Sequence, residues 1–137
     1  MTDLTPKIAL EEHFMHPDFV DYWATTEINI SPGLFDKARG ALEDFGDHRL
    51  AAMDAAGIDF SVLSLAGPGV QVEPDAAIAI RRAKACNDFL AEKMRDQPRF
   101  GGLAHLPMQD PAAASDELER CMGELGYHGA MINGATN

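Results

Sequence analysis

The chain has 137 residues, 46% of them apolar, and a formal net charge of −11 from 22 acidic and 11 basic side chains. That composition supports about one domain with a real core, and the negative charge repels nucleic acid and anionic membrane surfaces, so neither is expected as a partner. With no apolar run near the roughly 18 residues of a membrane span and no basic, apolar leader, the chain reads as soluble, unexported and cytoplasmic.

Ile8 to Leu10 opens a first strand, near 7–13, that runs straight into Glu11, Glu12 and His13. From Met15 to Gly46 the sequence is polar and aromatic, with Pro17, Pro32 and Gly33 breaking any period, and a long loop is expected. A helix begins at Asp47, with Leu50, Met53 and Ala56 on one face and Gly57 suited to end it. The run near 58–65 reads as a second strand, closed by Ala66-Gly67-Pro68-Gly69. Pro74-Asp75 introduces a long helix that places Ile78, Arg82, Cys86, Phe89, Leu90 and Met94 near helical spacing and stops before Pro98. A third strand is expected near 100–106, followed by a helix with Asp110 as N-cap and Pro111 at its first position, carrying Leu118, Met122 and Leu125 as far as Gly126. A fourth strand follows near 128–133. Cys86 and Cys121 fall in separate helices with no CxxC spacing, so both are expected as core thiols and not as a disulfide or metal site.

Strands alternating with helices argue a parallel βαβ series, because parallel neighbours need a crossover of about a dozen residues or more. A doubly wound sheet would suit the length, but no GxGxxG follows the first strand and Gly67-Pro68-Gly69 does not open a helix directly. A (β/α)8 barrel brings its chemistry to the carboxyl ends of its strands, where Glu11, Glu12 and His13 fall. Such a barrel takes about 250 residues. The expected fold is therefore α/β, with 1–137 forming the amino-terminal half of a single TIM-like barrel domain.

Side chains alternate faces along a strand, so Glu11 and His13 point one way and Glu12 the other. A carboxylate and an imidazole on one face can hold one side of a divalent ion, zinc or manganese. Charged residues that only cap the sheet end against water are the alternative.

The segments IALEEHF, RLAAMDAAGIDFSVLSLAGPGVQ, RAKACNDFLAEKMRDQPRFGGLAHLPMQDP and ELERCMGELGYHGAMINGATN resemble, in this order, the amino-terminal half of the amidohydrolase-related decarboxylases, in particular the gamma-resorcylate and dihydroxybenzoate decarboxylases. The resemblance covers nearly all of the chain outside Met15 to Gly46. It implies a distorted (β/α)8 barrel of the amidohydrolase type that binds one divalent metal, Glu11 and His13 as two of the ligands, and Asn133-Gly134 beside the substrate. It also implies a homodimer or homotetramer and no organic cofactor. The family's other ligands, a histidine and an aspartate, and its catalytic histidine would lie beyond Asn137. Two ligands are too few for a catalytic metal centre, so the segment alone is expected to be inactive and the functional expectation concerns a longer parent.

That expectation is the metal-dependent, non-oxidative decarboxylation of a small hydroxylated aromatic acid by a carboxy-lyase. Losing CO₂ requires protonation of the ring carbon, by an acid expected outside the 137 residues. Asn133, Trp23 and His105 are the candidate substrate contacts. His105 ends the third strand, where a substrate role competes with that of a buried histidine bonded to backbone. Tyr22, Trp23 and Phe35 either wall a flat substrate or pack their loop on the barrel. Pro68 and Gln71 sit at the active face by topology. His128 belongs to the stability face, and His16 and His48 read as loop and surface residues. A metal-dependent hydrolase of the same superfamily and a non-catalytic half-barrel interaction module are the competing readings.

Overall fold

A computed structural model describes residues 5–25 and 31–134. Its strands are β1 (Ile8–Phe14), β2 (Phe60–Leu65), β3 (Phe100–Gly102), β4 (Ala104–His105) and β5 (Ala130–Met131). Its helices are α1 (Val20–Thr25), α2 (Pro32–Glu43), α3 (Asp47–Ala56), α4 (Ala76–Asp96) and α5 (Pro111–Glu124). Every strand pairing is parallel: β1 with β2, β2 with β3, and β4 with β5. The expected third strand is one extended run that pairs in two halves. Leu103 donates its N–H to Leu63 O at 2.9 Å, and Ala104 donates to Gly129 O at 2.8 Å. The run thus turns from one neighbour to the next.

Local chemistry sets the helix ends. Asp75 Oδ1 accepts the Ile78 N–H and Asp110 Oδ1 accepts those of Ala112 and Ala113, satisfying donors that a first helical turn leaves open. Gly57 closes α3 at φ +65°, a left-handed conformation that a Cβ disfavours. Ala56 is exposed there, so the buried face of α3 reduces to Met53 with the half-buried Leu50.

The expected loop from Met15 to Gly46 is corrected: a 3-10 turn at Pro17–Phe19, α1 and α2 occupy most of it, while 26–30 lie outside the described residues. Pro32 breaks no helix because it stands at the first position of α2, where its missing N–H costs nothing. The buried face of α4 also differs from the expected one. Ala79, Ala83, Cys86, Asn87, Leu90 and Ala91 are buried, whereas Ile78 and Arg82 lie at the margin. Alanines let the helix approach the sheet closely, which a count of large apolar residues does not reveal. The predicted fourth strand shortens to the two residues of β5.

The core lies between sheet and helices, with Phe14, Met15, Phe19, Leu63, Leu65, Leu90 and Cys86 among its buried members. The other face of the sheet is an open apolar trough lined by Ile8, Leu10, Phe60, Val62, Leu103 and His128. His128 lies at the amino ends of the strands, as expected. No helix among the described residues is long and apolar enough to cross a membrane.

Candidate metal centre at the strand ends

The register of β1 against β2 shifts between Ala9, which faces Ser61, and Glu12, which faces Leu63. One residue is therefore extra on β1, a bulge near Leu10 and Glu11. Ile8 and Leu10 line the trough; strict alternation from there would send Glu12 into it and turn Glu11 and His13 toward the helices. The bulge reverses the parity. His13 stands opposite Ser64, on the face shared with Phe60 and Val62, and alternation puts Glu11 beside it.

His13 Nδ1 lies 2.9 Å from Ser64 Oγ, and its Nε2 makes no hydrogen bond to a described residue. The ring is exposed while Ser64 is only 1% exposed. Glu11 is exposed, and Glu12 is half-buried toward the helices, where its charge acts on Arg49. Arg49 fastens that side of β1, donating from Nη2 to His13 O at 2.9 Å and from Nε to Asp44 O at 2.6 Å. Burial pushes its guanidinium below the ordinary value, opposed by Glu12 and Asp44.

A carboxylate and an imidazole with one nitrogen held and the other unengaged suit two positions of a divalent coordination sphere. Among the described residues no three His, Cys, Asp or Glu side chains gather into a fuller site.

Asn133 reaches the same end of the sheet. Its Nδ2 is 3.5 Å from Gln71 Oε1, and a Cβ on Gly67 would lie 3.3 Å from it, so Asn133 packs against the loop that follows β2. Gln71 is held in turn by donating to Leu106 O at 3.0 Å.

His105 takes the second of the two roles weighed for it. Its ring is 3% exposed, and Nε2 accepts the Val70 N–H at 2.9 Å. Burial holds the imidazole down at about 4, so the ring is neutral and acts as an acceptor. The side chain thus anchors the loop carrying Gln71. Asn87 clamps the His105 backbone, accepting its N–H and donating to its carbonyl. Cys86 and Cys121 are buried free thiols, as expected.

Trp23 stacks on Phe35 with ring centroids 4.5 Å apart. Tyr22 donates to Glu73 beneath the Arg82 guanidinium, which lies 4.6 Å from its ring; burial first, then the Glu73 bond, pushes the phenol up to about 12. His16 is half-buried and caps its own turn, Nδ1 accepting the Asp18 N–H at 3.1 Å. Sequence reasoning overlooked Ser64 and Arg49. A polar residue inside the buried run Phe60–Leu65 was the available sign for Ser64.

The amidohydrolase family model matches residues 13–137. A gamma-resorcylate decarboxylase of Polaromonas sp. (strain JS666 / ATCC BAA-500) is 47% identical over 135 residues, covering 93% of this chain and 39% of that protein. A crystal structure of 2,6-dihydroxybenzoate decarboxylase complexed with 2,6-dihydroxybenzoate superposes with a TM-score of 0.89 at 43% identity, over 95% of this chain and 40% of that one. The dihydroxybenzoic acid decarboxylase of Polaromonas sp. JS666, solved with manganese and the inhibitor 2-nitroresorcinol, gives 0.88 at 44% identity over 95% and 39% of the two chains. The chain thus spans about two fifths of the length of these relatives.

Proposed function

The chain belongs to the amidohydrolase family, and from that membership and the exposed Glu11–His13 pair we propose that residues 1–137 form the amino-terminal half of one (β/α)8 domain in a metal-dependent carboxy-lyase. The reaction is the non-oxidative removal of a carboxylate from a hydroxylated aromatic acid, with a dihydroxybenzoate as the substrate class that the relatives support. What supports the reading is a register shift between Ala9 and Glu12 that sets His13 opposite Ser64, with Nδ1 held 2.9 Å from its hydroxyl and with both Glu11 and His13 exposed. That pair would hold a divalent ion, manganese or zinc, which when bound would supply Lewis acidity toward a ring hydroxyl.

This chain's own residues would do the following. Glu11 contributes a carboxylate oxygen and His13 a ring nitrogen. Asn133, steadied by Gln71 and Gly67, offers an amide for hydrogen bonding to the acid. Trp23, stacked on Phe35, offers an apolar face that can flank a flat ring. The remaining ligands and the proton donor belong, in this reading, to parts of the parent outside these residues, and no organic cofactor is needed. Cytoplasmic residence is the reading of the composition, and a homodimeric or homotetrameric assembly that of the resemblance.

The test is metal analysis and turnover of 2,6-dihydroxybenzoate in the intact parent. Glu11→Gln and His13→Ala should each lose most of the bound metal and the activity, whereas Glu12→Gln should keep both and cost at most about 1 kcal/mol of stability. Full metal occupancy in His13→Ala, or loss of metal in Glu12→Gln, would overturn the assignment.

A further inference from the structure

We infer that Ser64 is a positioning residue for His13: its buried hydroxyl holds Nδ1, so that the imidazole presents Nε2, and not Nδ1, to a divalent cation. The inference rests on the metal reading above and adds which ring nitrogen the site presents.

Either nitrogen of an imidazole can bind a metal, and the hydrogen bond made by one decides which is offered. Here the partner cannot drift. His13 pairs with Ser64 in a parallel register that continues to Phe14 and Leu65, and the Ala66 N–H donates to Phe14 O at 2.9 Å just beyond. Ser64 is 1% exposed, and its Oγ is 2.9 Å from Nδ1. The strands thus fix both ends of the contact.

The choice of a hydroxyl has its own consequence. A carboxylate would only accept, and would tie the ring to one protonation pattern; a hydroxyl accepts or donates as its hydrogen rotates. With Nε2 protonated, Ser64 donates to Nδ1. With Nε2 turned to a cation, Nδ1 carries the hydrogen and Ser64 accepts it. The heavy atoms stay in place in both cases, so the ring is already oriented when a cation arrives. Ser61, the other serine of β2, faces Ala9 and has no such partner across the strands.

The test follows the ring nitrogens of His13 by ¹⁵N NMR while the intact parent chain, labelled at histidine, is titrated with Zn²⁺. In the unsubstituted chain zinc should move Nε2 and leave Nδ1 protonated. In Ser64→Ala the apparent Kd should weaken by about tenfold or more, with ligation divided between the two nitrogens. Ser64→Thr, which keeps the hydroxyl, should restore both properties. A Ser64→Ala variant that binds through Nε2 with unchanged Kd would overturn the positioning role and leave the metal site standing. So would ligation through Nδ1 in the unsubstituted chain, or a threonine variant that behaves like alanine. Absence of any zinc response at His13 would overturn this inference together with the metal reading.

Discussion

Replacing Asn87 with alanine should be among the costliest single substitutions in this chain. Leu103 sends its N–H to β2 and Ala104 sends its own to the neighbour of β5, so alternation turns the His105 groups back toward β2. Asn87 meets them there: Oδ1 accepts the His105 N–H at 2.9 Å, and Nδ2 donates to His105 O at 3.0 Å and to Glu117 Oε1 at 2.8 Å. The side chain is 1% exposed, so water does not replace it on truncation. Glu117 keeps Arg120, but the His105 N–H and C=O are both orphaned. At about 1–3 kcal/mol for each buried unsatisfied group the loss is about 2–6 kcal/mol, a large part of the roughly 5–15 kcal/mol that holds a domain together. Urea unfolding followed by circular dichroism measures it. Asn87→Asp sharpens the test, since it keeps an acceptor for the N–H but sets a second carboxylate against Glu117; it should be comparably unstable at neutral pH and partly recover as acid protonates it. A loss below about 1 kcal/mol in Asn87→Ala would refute the accounting.

Gly69→Ala should destabilise by about 2–4 kcal/mol, because φ is +61° and the new Cβ would lie 2.3 Å from His105 Nε2, displacing the ring from Val70; an unchanged Tm would contradict this. Burial holds the His105 imidazole at about 4 in the folded chain against 6.5 unfolded, so between those values the unfolded chain binds a proton that the folded chain does not. The neutral ring's contribution is complete above about pH 6.5 and is lost as pH falls toward 4, by about 3 kcal/mol in all. His105→Gln should flatten that part of the stability profile, and an unaltered slope would show that other groups produce it. Trp23→Ala in the intact parent should raise KM or change the preference among hydroxybenzoates while metal content stays constant; identical kinetics would assign Trp23 a packing role, as in its stack on Phe35.

The order of the elements and several of their ends were legible in the sequence because they depend on short-range chemistry. Asp75 and Asp110 accept N–H groups two or three residues ahead, and Gly57 needs only its own missing Cβ. The same local reading mistook Pro32 for a breaker, because a proline that ends one structure and a proline that starts a helix look alike until the following turn is formed. The buried face of α4 was hidden for another reason: Ala79 and Ala83 are buried through close approach to the sheet, which no hydropathy pattern records. At the candidate site the donor types of Glu11, Glu12 and His13 were legible, and Glu12 and His13 stand opposite successive residues of β2, Leu63 and Ser64. Which face the pair would join was not legible, because period-two alternation is relative, and one extra residue in β1 reverses everything after it. That residue is detectable only against β2, whose Ser64 lies 51 positions from His13 in the chain and 2.9 Å from its ring in the fold. Donor types are local chemistry and are written in the chain; the direction in which they point follows from strand register, and register exists only once the strands have met.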